Sequence, residues 1–105
     1  MKKVMLVCAA GMSTSLMVKK MQDYANTLDE EIEVFAAPEA EAQSLIEQVD
    51  VIMLGPQVSY IFKDFNNEAQ QYNIPVTIID AMDYGRMNGE KVLNLGLKLV
   101  EEARK

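Results

Sequence analysis

The sequence predicts an α/β fold: one domain spanning residues 1–105, with a four-stranded parallel sheet in the order 2-1-3-4 and helices on both faces. Short apolar runs alternate with stretches whose apolar residues recur at helical spacing, and the β-α pattern repeats four times. Half of the residues are apolar, enough for one compact core. No linker, internal repeat or low-complexity segment interrupts the pattern.

Each element has its own signal. Lys3 to Cys8 is a short apolar run closed by Gly11, which suits a buried strand. From Ser13 onward, Met17, Val18, Met21, Ala25 and Leu28 recur as one face of a helix. Glu31 to Ala37 sets Glu31, Glu33 and Phe35 against Ile32, Val34 and Ala36, the alternation of a strand at a sheet edge. Pro38 is expected to open a second helix that turns Ala42, Leu45 and Ile46 inward. Asp50 to Leu54 reads as a fully buried strand stopped by Gly55-Pro56, and Val58, Ile61, Phe62, Phe65 and Ala69 mark the following helix. Ile74 to Ile79 is the fourth strand, and Gly85 to Gly89 is expected to be loop. Val92, Leu93, Gly96, Leu97, Val100 and Ala103 give the last helix its inner face, with Arg and Lys at its end where the dipole favours cations.

Composition narrows the chemistry. A single cysteine rules out an internal disulfide, and the lack of histidine removes the usual zinc and iron ligand sets, so neither metal nor cofactor is expected. A formal charge of -6 with no basic cluster argues against a nucleic-acid partner. No apolar run approaches the roughly 20 residues of a membrane-spanning helix, and the first residues do not read as a signal peptide. The expectation is a cytoplasmic protein without direct membrane insertion. The run Asp29-Glu30-Glu31 reads as a solvated turn, and most of the eight methionines as core filler.

In a parallel sheet of this order the working crevice lies beyond the carboxyl ends of the strands, where the strand order reverses. Three segments fall there: Cys8 to Ser15, Gly55 to Gln57, and Asp80 to Gly89. The first carries the chemistry. Small residues and Gly11 let the backbone of Ala9, Ala10, Gly11, Met12, Ser13, Thr14 and Ser15 curl with its amides inward, and the helix start adds the positive end of its dipole. Such a loop holds an anion, phosphate above all, and the same field stabilises the Cys8 thiolate, the nucleophilic form of a cysteine. Elsewhere a lone cysteine is commonly just a small buried apolar residue. Here it ends a strand and precedes small residues, a glycine and three hydroxyls. Met12 is expected to offer an adaptable docking surface beside it.

Leu6-Val7-Cys8-Ala9-Ala10-Gly11-Met12-Ser13-Thr14-Ser15 resembles the active-site segment of the IIB component of the bacterial sugar phosphotransferase system, lactose/cellobiose class. Leu54-Gly55-Pro56-Gln57 with Tyr60, and Asp80 with Tyr84-Gly85 and Asn88-Gly89, resemble the same family in order and spacing over essentially the whole chain. The resemblance implies a transferase with a phosphocysteine at Cys8. A phosphohistidine IIA protein would be the donor, and the acceptor a sugar held by a membrane-embedded IIC permease: cellobiose, chitobiose, lichenan fragments or lactose. Gly55, Pro56, Gln57, Asp80 and Tyr84 would stand beside the site or touch a partner. The layout is also similar to low-molecular-weight tyrosine phosphatases, in which an arginine follows the loop and a later aspartate serves as acid. Here Thr14 stands at the arginine position, so the bidentate clamp for hydrolysis is missing, and Asp80 or Asp83 would have to be the acid. A third possibility is a regulatory module that binds an anion and needs no reactive thiol.

Overall fold

The computed structural model describes residues 1–9 and 15–104. Strands β1 (Lys2–Cys8), β2 (Ile32–Pro38), β3 (Val51–Leu54) and β4 (Val76–Ile78) form a parallel sheet in the order β2-β1-β3-β4, as the sequence predicts. Helix α1 (Ser15–Ala25) follows β1, α2 (Glu39–Ala42) follows β2, and α3 (Phe62–Gln70) follows β3. Beyond β4 come α4 (Ala81–Gly85) and α5 (Gly89–Ala103). No helix among the described residues is long and apolar enough to cross a membrane.

Strand alternation divides the core into two layers. Val4, Leu6, Val51 and Met53 face Met17, Met21 and Ala25 of α1 and Val92, Leu93 and Val100 of α5. Met5, Val7, Ile52 and Leu54 face the opposite way, onto Ala42, Ile46, Val58, Ile61, Phe65 and Ala69. Strands covered on both sides need apolar residues at every position, which is why β1 and β3 read as continuous runs rather than alternating ones. Glu31 and Glu33 are exposed while Ile32 and Val34 are buried, so β2 has the half-wet pattern of its edge position.

Three expectations need correction. The second helix opens at Pro38 but is short: Pro38 is both the last residue of β2 and the extended cap of α2, which runs for a single turn before tightening into a 3₁₀ helix over Gln43–Gln48. The tighter coil advances further per residue, which helps a short connection return along the strands to the start of β3. Asp50 lies just before β3: its N–H donates to the Lys3 carbonyl at 2.9 Å, and its carboxylate accepts the Lys3 N–H at 2.6 Å and the Arg104 guanidinium. Finally, residues 85–89 are not one loop. Gly85 ends α4, Gly89 begins α5, and the reversal between them falls on Met87, with φ of 52°. Glycine is the usual marker of left-handed backbone, so a turn made by methionine leaves no such mark.

Candidate functional site

Cys8 ends β1 in register with Pro38 of β2, and its thiol is free. It is 8% exposed, with Sγ 3.8 Å from the Ala37 carbonyl, so the sulfur lies at the floor of the carboxyl edge. By alternation Cys8 shares the face of Val4 and Leu6, the face covered by α1. α1 carries the chain from the carboxyl end of β1 back toward the start of β2, so the positive end of its dipole lies at the edge where Cys8 sits. Ala9 is half-buried and Ser15 is exposed at the first position of α1. Ala10, Gly11, Met12, Ser13 and Thr14, which complete the expected phosphate loop and the expected docking residue, lie outside the described residues.

Neighbouring strands bring further predicted residues to the same edge. β1 and β3 pair from Val4 with Val51 to Val7 with Leu54, and the Gly55 N–H donates to the Val7 carbonyl at 3.0 Å. Gly55 is buried, and Pro56 starts a 3₁₀ helix over Pro56–Ile61. Gln57 is exposed, yet its side chain folds back: a Cβ on Gly55 would meet its Oε1 at 2.7 Å. Tyr60, 72% exposed, reaches Glu39 Oε2 at 3.4 Å. Glu39 follows the residue paired with Cys8, so this contact links the segments beyond β3 and β2 on either side of β1. The contact joins residues 21 apart, and sequence spacing gives no sign of it.

Asp80 is placed less closely. Asp80 follows β4, two strands from β1, which is about 10 Å across a sheet with strands about 4.8 Å apart. It precedes α4 but makes no side-chain capping bond. Asp83 is paired with Lys91 Nζ at 3.3 Å. Tyr84 is buried in the core with Met17, Met21 and Leu93, and its hydroxyl has no hydrogen-bond partner among the described residues. The arrangement thus sets Gly55, with the Gln57 side chain folded over it, on the strand next to Cys8, and Asp80 beyond β4, two strands away.

A nearly buried thiol at the carboxyl edge, beside the start of a helix and an uncharged amide, suits a nucleophile that receives an anionic group. Comparison with known proteins agrees in family. Residues 3–95 match the model of the phosphotransferase system lactose/cellobiose-specific IIB subunit. The chain is 42% identical over 100 residues to the oligo-beta-mannoside-specific EIIB component of Bacillus subtilis strain 168, covering 95% of this chain and 97% of that one. It is 39% identical over 97 residues to the galactose-specific EIIB component of Lactococcus lactis subsp. cremoris strain MG1363, covering 88% and 90%. A solution structure of the cellobiose-specific phosphotransferase IIB component from Borrelia burgdorferi superposes with a TM-score of 0.80 at 34% identity, covering 97% of this chain and 94% of that one. The chain therefore belongs to the lactose/cellobiose-specific IIB family, the sugar-specific phosphotransferase components that transfer phosphoryl groups to sugars.

Proposed function

We propose that residues 1–105 work as one cytoplasmic phosphocarrier domain, in which Cys8 takes a phosphoryl group from the phosphohistidine of a IIA protein and passes it to a sugar held by a IIC permease. The observation that carries this reading is the place of the free Cys8 thiol: at the end of β1, where the strand order reverses, on the face where α1 begins. In the first step the thiolate attacks phosphorus as the N–P bond breaks, and the electron pair leaves with the donor's imidazole, which ends neutral because its other ring nitrogen carries a proton. In the second a sugar hydroxyl attacks the same phosphorus, the S–P bond breaks, the thiolate is restored and the hydroxyl proton passes to a base on the acceptor side. The backbone amides of Ala9, Ala10, Gly11, Met12, Ser13, Thr14 and Ser15 hold the phosphoryl oxygens between the steps, the role their composition suits. Pro56 and Tyr84 shape the flank of the site, and Asp80 stands toward a partner.

The sugar is a β-linked disaccharide or oligosaccharide. Relatives named for oligo-β-mannosides and cellobiose fit that class, one named for galactose, a monosaccharide, falls outside it, and discrimination among such sugars belongs to the permease that holds them. Intact-mass measurement after incubation with phosphorylated IIA tests the carrier step. The expected result is one added phosphoryl group, lost in Cys8→Ser, whose hydroxyl is not ionised near neutrality. Phosphorylation of Cys8→Ser to the extent of the unmodified protein refutes the assignment. Rapid hydrolysis of p-nitrophenyl phosphate favours the phosphatase instead, with Asp80 and Asp83 the first acids to substitute.

A further inference from the structure

We propose that the Gln57 carboxamide fills the side-chain slot beside Cys8 that Gly55 leaves open, and donates a hydrogen bond to the phosphoryl group carried on the sulfur. This rests on the phosphocarrier reading and gives Gln57 a role in it.

The parallel ladder between β1 and β3 advances one residue at a time to Val7 with Leu54, and the Gly55 N–H to Val7 carbonyl bond carries it one step further. Gly55 therefore stands beside Cys8. Laterally paired residues of a parallel sheet project to the same face from strands about 4.8 Å apart. A side chain at position 55 would stand next to the cysteine, with its Cβ 3.5 Å from the Val7 carbonyl oxygen. The space is taken by the end of the Gln57 side chain, its Oε1 2.7 Å from where that Cβ would be. Glycine at 55 thus leaves room for the amide rather than serving turn geometry: its φ of -61° and ψ of 150° are open to any residue.

The amide in the slot is uncommitted, since Gln57 is exposed and its side chain makes no hydrogen bond among the described residues. A half-turn about the last side-chain bond exchanges Oε1 and Nε2 in the same place, so the group can offer two N–H donors to an anion. An uncharged donor suits a carrier. It holds phosphoryl oxygens in orientation without the guanidinium charge that stabilises attack by water, and it releases the group to an acceptor at little electrostatic cost.

The test is a double-mutant cycle with phosphorylated IIA as donor, following formation of phosphorylated protein by quenched mass measurement. Gln57→Ala is expected to lower kcat about 10- to 100-fold, the usual effect of losing one hydrogen bond to a charged group, with KM for the donor unchanged. Gly55→Ala is expected to lower it by a similar factor, because the new methyl evicts the amide, while the melting temperature stays within a few degrees of the parent. The double variant should fall no further, since both changes remove the same contact. Wild-type kcat in Gln57→Ala overturns the proposal, as does a raised KM with unchanged kcat, which would make Gln57 a partner contact. Additive losses in the double variant overturn the slot argument. If Gly55→Ala does not fold, the kcat and KM of Gln57→Ala decide alone. Failure of the unmodified protein to take any phosphoryl group overturns the carrier reading itself, a different result from normal uptake by both variants.

Discussion

Substituting Gly89 by alanine probes how the helix that begins beside Cys8 is held. Gly89 is the first residue of α5, where Asn88 accepts the Lys91 N–H at 3.2 Å as a helix cap. An ideal Cβ on Gly89 would lie 2.8 Å from the Lys20 carbonyl carbon, 2.8 Å from the Met21 nitrogen and 2.9 Å from the Lys20 Cβ. Two of these atoms are backbone of α1, so the contact is relieved only by separating the helices by several tenths of an ångström. That opens the packing of Met17, Met21, Val92 and Leu93 behind it. Overpacking of this kind costs about 1–3 kcal/mol, and the gain from replacing a helical glycine by alanine offsets at most about 1 kcal/mol. The net loss is about 1–2 kcal/mol, or roughly 5–15 °C in melting temperature for a domain of this size. Gly85→Ala is the matched control: nothing lies within 4 Å of its added methyl, so the change is expected to be neutral or to stabilise by up to about 1 kcal/mol. Thermal melts by circular dichroism measure both. A Gly89→Ala protein that melts at or above the parent refutes the claim that α1 and α5 touch through backbone at this point.

Met53 is fully buried between β3 and Gly96 of α5, so Met53→Ala should destabilise by about 2–5 kcal/mol in urea titration. Asp50→Ala removes the acceptor of the Lys3 N–H as well as the Arg104 pair and is expected to cost about 1–2 kcal/mol. Arg104→Ala leaves the Lys3 bond in place and loses an exposed ion pair, so the same titration should show no more than about 0.5 kcal/mol. Tyr84→Phe deletes a buried hydroxyl with no partner among the described residues, and the melting temperature should rise by a few degrees; a fall would mean that the hydroxyl is satisfied in solution.

Several features of the protein are set locally and can be read from residues in a row. The Val51–Leu54 run is apolar at every position because both sides of β3 are covered. Ile32 and Val34 alternate with glutamates because β2 is an edge, and a wet edge strand beside two dry ones is what the 2-1-3-4 order requires. The proposed nucleophile is equally local, since Cys8 is the only cysteine and ends a strand before small residues and hydroxyls. Harder to read are single turns. α4 is five residues long, too short for a helical period to emerge, and the turn after it is made by Met87 rather than by either nearby glycine.

What only the tertiary structure decides is which atoms meet across the carboxyl edge. A glycine after a strand looks like a stop signal, and Gly55 serves as one. Its lack of a side chain also admits the Gln57 amide beside Cys8, which depends on the register of β1 against β3 and on the backward fold of one side chain. Gly89 likewise reads as loop, yet it lies against the backbone of Lys20 and Met21, far away along the chain. Tyr84, beside a glycine and just after a short strand, is buried in the same core layer as Met17, Met21 and Leu93. Periodicity and residue type report whether a position faces protein or water, because burial follows from the repeat of a strand or helix. They do not report which distant segment supplies the neighbour, because that depends on sheet register and helix approach, which the packed chain sets as a whole.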